Sequence, residues 1–268
     1  MKITTLIEDS REGKSTLVSE FGLSMHIETG SGIQILLDTG TSGRFTENAG
    51  KLGIDLDAID AAVLSHAHYD HGGGLAALFA KTSEVTVYMH ENARKEYYGN
   101  IGAKLPRTLN NLVHPLVKHS QLLSRYIGLD PDVLNTYDSR IRYLAATKEI
   151  FENVFVITPI EHNQPGPEGN KFLLEKKADG LVPDAFDHEV LLAVREESGI
   201  VLFTGCCHNG LINMVDTAKT LFPDDAIAAI VGGFHLKYQP MKEDISGTKE
   251  DIYAIADYLT ACNVGAVY

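Results

Sequence analysis

Residues 65–74 read Ser-His-Ala-His-Tyr-Asp-His-Gly-Gly-Gly and directly follow an apolar stretch at 61–64. Four side chains in this motif can bind a metal ion, namely those of His66, His68, Asp70 and His71. At the end of an extended segment, residues two apart point the same way, so the first two histidines can converge on one ion. The glycines permit a tight turn that would present the aspartate and the last histidine to a neighbouring point. Imidazoles with one carboxylate suit zinc or iron and are too rich in nitrogen for calcium or magnesium.

A second interpretation of the motif assigns it no metal. Asp70 would then cap the following helix, where aspartate is common, and the histidines would be solvated. Three histidines at this spacing around one aspartate favour the metal site instead. If the motif binds metal, Asp70 is also the predicted catalytic residue, because it would orient a metal-bound water molecule.

The hydrophobic pattern on both sides of the motif predicts a mixed chain of strands and helices. Strands are expected at Lys2–Ile7, 17–29, 32–37, 61–64, 85–89, 154–160, 172–175, 189–194, 201–204 and 227–231. Helices are expected at 46–52, 73–79, 91–97, Leu211–Leu221 and 252–262. Thr248 and Asp251 have the spacing of a capping box before the last helix. Antiparallel strands followed by strand–helix alternation predict an α/β (α+β) fold, a four-layer αββα sandwich.

The chain is expected to form a single domain over residues 1–268. Residues from about 100 to 150 break the alternation with several prolines and many polar residues. A connection of that length is usually a functional lid or an inserted unit. A helical insertion over about 100–150 is therefore expected to cap the site, with a peripheral helical insertion as the alternative.

The charge balance excludes several kinds of partner. Lys and Arg number 23 and Asp and Glu number 36, which gives a net charge of −13. A chain this acidic is a poor partner for nucleic acid or an anionic membrane face, and it has no tryptophan for base stacking. Its 3 cysteines do not make a disulfide framework, and the first ten residues lack the apolar core of a signal peptide. We expect a cytoplasmic protein with a small-molecule substrate and no nucleic-acid or membrane partner.

The motif at 66–71 matches the pattern HxHxDH, and the sequence resembles the metallo-β-lactamase superfamily. Residues 36–40, Leu-Leu-Asp-Thr-Gly, match the strand that precedes the motif in that fold. Further stretches are similar to the branch of metal-dependent hydrolases of β-lactamase superfamily II that includes archaeal dihydropteroate-type synthases of methanopterin biosynthesis. They are 53–56, 64–66, 204–210 and 231–236. The resemblance spans nearly the whole chain and implies the αββα fold and two divalent metal ions, zinc with iron or manganese as alternatives.

The resemblance also implies where further ligands lie. In the superfamily an acid or a cysteine that follows Thr-Gly at a strand end sits close to both metals, and Cys206 occupies that place. His208 would face the same way, and Cys207 is expected to point into the core. His235, after Gly-Gly at a strand end, would be a ligand, a substrate contact or a general acid. His162 stands roughly where many members have a metal histidine, but the match is loose and a loop role is favoured. The alternative for Cys206 is a small buried residue without a functional role. The alternative for His208 is a loop histidine that binds no metal.

The end of the chain departs from the family pattern. The superfamily carries a final metal histidine after the last strand. This sequence stops at residues 265–268, where that strand should lead into the histidine. The expectation is therefore that the C-terminal end is truncated before the last ligand.

Together these residues predict a metal-dependent hydrolase or transferase. His66 and His68 with a later ligand would hold one ion, Asp70 and His71 would hold the other, and metal-bound hydroxide would be the nucleophile. A small anionic substrate is expected, either a phosphate or diphosphate ester or a pterin-type compound, since two divalent ions create a positive pocket in an acidic protein. In a synthase-like variant the ions would hold a leaving diphosphate while an amine attacks. The alternatives are a di-iron redox or metal-binding module without hydrolysis and a catalytically inactive binding protein.

Overall fold

Two main sheets organise the computed structural model, which describes residues 1–10, 13, 15–100, 123–239, 242–245 and 248–268. The first sheet has six strands in the spatial order β1 (Lys2–Ile7), β2 (Ser24–Glu28), β3 (Gln34–Leu37), β4 (Ala61–Val63), β5 (Thr86–His90) and β8 (Ile141–Leu144). The second has five in the order β15 (Ile227–Gly232), β14 (Gly199–Thr204), β13 (Leu191–Glu196), β10 (Val154–Ile157) and β9 (Lys148–Phe151). Smaller sheets are formed by β12 (Gly180–Pro183), β11 (Leu173–Lys177), β6 (Tyr97–Asn100) and β7 (Ser124–Tyr126), and by β16 (Lys237–Gln239) and β17 (Lys242–Ile245).

The main sheets pack face to face and carry helices on their outer faces. The α-helices of the described residues are α1 (Arg44–Leu52), α2 (Tyr69–Gly72), α3 (Leu75–Lys81), α4 (Pro131–Thr136), α5 (Leu211–Leu221) and α6 (Lys249–Ala261). Alternation along β3 shows the layering, since Ile35 and Leu37 lie in the core between the sheets with Phe203, whereas Leu36 lies in the core under α1 with Phe45. Residues of α5 and α6 form a third core on the other face of the second sheet. The predicted αββα sandwich is confirmed.

Parallel pairing brings the loops of the motif region together. Strands β3, β4 and β5 run parallel, so the residues that follow β3 and β4 leave the first sheet at the same edge. In the second sheet β14 and β15 are also parallel, so residues 205–209 and 233–235 leave it side by side. Because ligands in α/β proteins bind outside the carboxyl ends of parallel strands, this edge is where the fold gathers polar side chains.

The described part of the segment from 100 to 150 is not the helical insertion that the sequence predicts. Residues 101–122 lie outside the described residues. From residue 124 the chain forms β7, the six-residue helix α4 and then β8, which pairs in parallel with β5 and extends the first sheet. Ile141 and Leu144 of β8 are buried. A four-residue edge strand behind a proline-rich stretch carries too little alternation to be recognised from sequence.

Two other element boundaries differ from those expected. The strand predicted at 17–29 begins only at Ser24, which pairs with β1, and its pairing with β3 starts at Met25. The helix predicted at 91–97 is a 3-10 helix, Glu91–Arg94, after which Tyr97 starts β6 with a fully buried side chain. Tertiary burial of this tyrosine overrides the local helical pattern.

The helices are short and locally well terminated. Thr248 accepts a hydrogen bond from the backbone N–H of Asp251, whose side chain accepts one from the Thr248 N–H, so the predicted capping box starts α6. Gly53 ends α1 in the left-handed region at φ 71°, where glycine is not strained. Within the described ranges, no helix combines the length and apolarity that crossing a bilayer requires.

Candidate metal centre

The histidine motif begins where β4 ends. The chain bends at His66 and Ala67 and then enters the one-turn helix α2, which carries Asp70 and His71. The rings of His66 and His68 lie 4.7 Å apart between centroids. The local sequence therefore places its two spaced histidines next to each other and turns the following pair toward a neighbouring position.

Three imidazoles converge at this bend. His66, His68 and His208 each offer a ring nitrogen within 4.8 Å of the other two, and all three residues are buried. The Nε2 atoms of the three rings have no hydrogen-bond partner among the described residues. A buried polar atom without a partner costs about 1–3 kcal/mol, so each of these nitrogens needs an ion or a neighbouring side chain to satisfy it. Neutral imidazoles are common ligands of transition metals, and this donor set fits a zinc-type ion.

A second group of ligand atoms adjoins the first and shares His66. It contains His66, His71 and Cys206, again within 4.8 Å of one another. The Nε2 atom of His71 lies 3.1 Å from the Cys206 Sγ. Asp70 is beside this group, with its Oδ2 3.6 Å from the same nitrogen, although it belongs to neither converging set. Thiolate and imidazole together are zinc or iron ligands, so two ions could lie side by side here.

Burial shapes the protonation of these rings. It lowers the pKa of His66 and of His208 well below the ordinary value, and neighbouring imidazoles add to the effect. Both rings are thus held neutral, which is the form that binds a metal. For His71 burial acts in the same direction, but Cys206 and Asp38 outweigh it and raise the pKa well above the ordinary value.

Comparison with known proteins now places this chain in a family. Residues 20–229 match the family model described as Metallo-beta-lactamase superfamily. The chain belongs to the metallo-β-lactamase superfamily. Members of this superfamily are metal-dependent enzymes, so the two groups of converging ligands are its candidate metal centre.

Among proteins of the metallo-β-lactamase superfamily, three relatives place the chain more closely. It is 31% identical over 255 residues to 7,8-dihydropterin-6-methyl-4-(β-D-ribofuranosyl)-aminobenzene-5'-phosphate synthase of Methanocaldococcus jannaschii. That alignment covers 88% of this chain and 78% of the synthase. It is 27% identical over 225 residues to the uncharacterized protein MJ0448 of the same organism, with 81% and 73% covered. The crystal structure of Tm1679, a metal-dependent hydrolase of the β-lactamase superfamily, superposes with a TM-score of 0.74 at 28% identity over 99% of this chain and 85% of that one. The branch that the sequence resembles is therefore confirmed.

Asp38 fixes the orientation of two histidines of the superfamily motif. Its Oδ2 accepts hydrogen bonds from the Ser65 hydroxyl at 2.7 Å and from His71 Nδ1 at 2.6 Å. The Ser65 oxygen is in turn 2.9 Å from His66 Nδ1. Engaging both Nδ1 atoms leaves both Nε2 atoms as donors to an ion. Asp38 adopts φ 60°, a strained conformation for aspartate that its buried hydrogen bonds stabilise.

A buried carboxylate outside the motif holds the loop that carries His208. Glu189 accepts the backbone N–H of His208 at 2.8 Å, and both the backbone N–H and the side-chain amide of Asn209 at 2.7 and 2.8 Å. His208 Nδ1 bonds the Asn170 Oδ1 at 3.0 Å, and the Phe186 ring stacks on the imidazole at 4.5 Å. Sequence reasoning missed Glu189, Asn170 and Phe186. For Glu189 and Phe186 the available signal was an acidic cluster, residues 184–189, directly before a buried strand.

Of the remaining predicted residues, His235 lies at the metal centre, whereas His162 and Cys207 do not. His235 lies 4.5 Å from the His208 ring and forms a third converging group with His208 and Cys206. Burial, with a contribution from His68, lowers the pKa of His235 to about 4, so it is neutral at pH 7. His162 is exposed and belongs to no converging ligand group of the described chain. Cys207 is fully buried in the core under α5, as expected.

Gly205 leaves no room for a side chain beside the motif. A Cβ there would overlap the Ser65 hydroxyl and lie 2.7 Å from the Ser65 Cβ and 3.1 Å from His66 Nδ1. We expect Gly205→Ala to lower the free energy of unfolding by about 1–3 kcal/mol, because the hydroxyl is tied to Asp38 and cannot move away freely. Gly50→Ala in α1 is the matched control, since its Cβ would meet nothing within 4 Å. It should stabilise by about 0.5–1 kcal/mol in the same denaturant titration. Equal stability of Gly205→Ala and the unchanged protein would contradict this packing argument.

Proposed function

We propose that this protein is a transferase or hydrolase that works through a dinuclear metal centre, on a small anionic substrate of the phosphate or diphosphate ester or pterin type. The observation that carries the proposal is the convergence of one ring nitrogen each from His66, His68 and His208, all buried and within 4.8 Å of one another. The adjoining group of His71 and Cys206 supports a second ion next to the first. The two groups share His66, which keeps the two positions close together.

Each residue of the centre has a proposed role. His66, His68 and His208 hold one ion, and His71 and Cys206, with Asp70 beside them, hold the other. When bound, divalent ions polarise a carbonyl or phosphoryl oxygen and lower the pKa of water. Asp70, which is almost fully buried, would orient the attacking group and accept its proton. His235, neutral at pH 7, would contact the substrate or complete the metal shell.

The relative from Methanocaldococcus jannaschii suggests the substrate class. Its name describes a product in which a dihydropterin-6-methyl unit is joined to a ribofuranosyl-aminobenzene 5'-phosphate. We propose the same class of condensation here, in which an aromatic amine attacks the pterin methyl carbon and diphosphate leaves. The net charge of −13 makes a local positive site necessary for such anions, and two divalent ions would supply it.

Metal content and metal removal test the dinuclear centre. Anaerobically purified protein should contain about two divalent ions per chain by elemental analysis, with zinc expected. Chelation should lower the Tm, because a ligand present at 100 times its Kd stabilises by about 2.7 kcal/mol, which is about 5–10 °C for a chain of this size. Returning zinc should restore the Tm. A protein without transition metal that unfolds at the same temperature with and without chelator would refute the proposal.

Cys206 gives the redox alternative its support, because thiolate is a ligand of iron as well as of zinc. That alternative predicts coloured, iron-loaded protein whose spectrum changes on reduction and which turns over no ester. The proposed enzyme instead releases diphosphate from a pterin-methyl diphosphate when an aromatic amine is added. A zinc-loaded protein with amine-dependent diphosphate release would exclude the redox module.

A further inference from the structure

One nitrogen of the metal-site histidines lies close to a buried carboxylate. His68 Nε2 is buried and without a hydrogen-bond partner among the described residues, and the Asp184 Oδ2 lies 3.8 Å from it. Both side chains are almost completely buried, so bulk water does not screen the interaction between them. The distance exceeds that of a hydrogen bond, so forming one requires the ring and the carboxylate to approach by about 1 Å.

Asp184 is itself held in place from two sides. Its Oδ1 accepts the backbone N–H of Phe186 at 2.8 Å. Its Oδ2 lies 3.1 Å from the Nε2 of His188, a residue with no exposed surface. His188 Nδ1 accepts the N–H of Ala67 at 3.0 Å, so its proton resides on Nε2 and is donated to Asp184.

This arrangement ties the carboxylate to the motif. Ala67 lies between His66 and His68, and its backbone N–H fixes the His188 ring that fixes Asp184. His188 cannot serve as a metal ligand in this arrangement, because one nitrogen accepts from Ala67 and the other donates to Asp184. Besides His188, the Asp184 Oδ2 has the Nε2 atom of His68 as a neighbour at 3.8 Å.

We propose that Asp184, held by His188, is the positioning residue of His68. It accepts the Nε2–H of His68, which leaves Nδ1 of that ring as the metal donor, whereas His66 and His208 donate through Nε2. A carboxylate on the far nitrogen of a metal-binding imidazole fixes its tautomer and orientation and increases its basicity. The inference rests on the proposed metal centre and assigns a role within it to a residue 116 positions beyond His68 in the chain.

The tautomer of His68 is the first test. In metal-free protein labelled with ¹⁵N-histidine, the ring-nitrogen shifts should show His68 protonated on Nε2. Titration with zinc should then shift Nδ1 and leave the proton on Nε2. A His68 ring protonated on Nδ1, or loss of the Nε2 proton on zinc binding, would overturn the assignment. This measurement uses the unaltered protein and does not depend on whether a variant folds.

Zinc affinity of the variants is the second test, measured by competition with a chromophoric chelator. Asp184→Asn should bind zinc about 10–100-fold more weakly, because an amide cannot replace the carboxylate as acceptor from both rings. Asp187→Asn is the matched control, since it removes the same charge from a half-exposed neighbour that pairs with Lys95 at 3.1 Å. Unchanged affinity in Asp184→Asn would overturn the positioning role and leave the metal centre intact. Absence of zinc binding by the unaltered protein would refute the proposed function itself, and the positioning role with it.

Discussion

Replacing His66 with alanine is expected to remove the ion that it would hold with His68 and His208, and to abolish turnover. His66 is the residue that the two converging groups share, and its ring lies 4.2 Å from that of His71 and 4.9 Å from that of His208. Changes in the outer shell of a metal site cost about 10–100-fold in affinity, so loss of a direct ligand of the first ion should exceed 100-fold. Elemental analysis and chelator competition measure the loss directly.

His162→Ala provides the control for this substitution. His162 is an exposed histidine outside the converging groups of the described residues. Its replacement is therefore the same histidine-to-alanine change, made away from the metal centre. It should keep two ions per chain and full turnover. If His66→Ala retained both ions, or if His162→Ala lost one, the assignment of ligands would be wrong.

Glu189→Ala is expected to be the most destabilising substitution considered. It leaves three N–H donors of His208 and Asn209 buried without an acceptor. At about 1–3 kcal/mol for each unsatisfied donor, and allowing for relaxation, we expect a loss of about 3–5 kcal/mol in the free energy of unfolding. The same variant should bind zinc more weakly, because the loop that presents His208 loses its anchor.

Two variants sharpen this prediction. Glu189→Gln keeps the shape but has only one acceptor oxygen for donors that reach both carboxylate oxygens, so its loss should be smaller. Glu197→Ala, at an exposed position in the same part of the chain, should change stability by less than about 0.5 kcal/mol. Denaturant titration of metal-free protein separates the effect on folding from the effect on zinc. Equal stability of Glu189→Ala and Glu197→Ala would contradict the anchoring role.

Much of the fold was predictable because its signals are local. The alternation in Lys2–Ile7, the turn between β2 and β3 and the capping box at Thr248 each depend on residues within a few positions of one another. Strand β8 was not predictable, since its four residues pair with β5, from which they are separated by about 50 residues of sequence. Tyr97 was misassigned for a related reason, because its burial is a property of the packed protein.

The sequence by itself determined that His66 and His68 lie side by side and that Asp70 and His71 follow in one turn, because spacing along a short segment sets the direction of its side chains. Only the tertiary structure decided that Cys206 reaches His71, 135 residues away, and that His188 holds the backbone of Ala67, 121 residues away. It also decided that Asp184 faces His68. Such contacts depend on how two sheets pack and on where their parallel strands end. No periodicity within one segment carries that information, since the hydrogen bonds join segments whose separation is fixed only when the core forms.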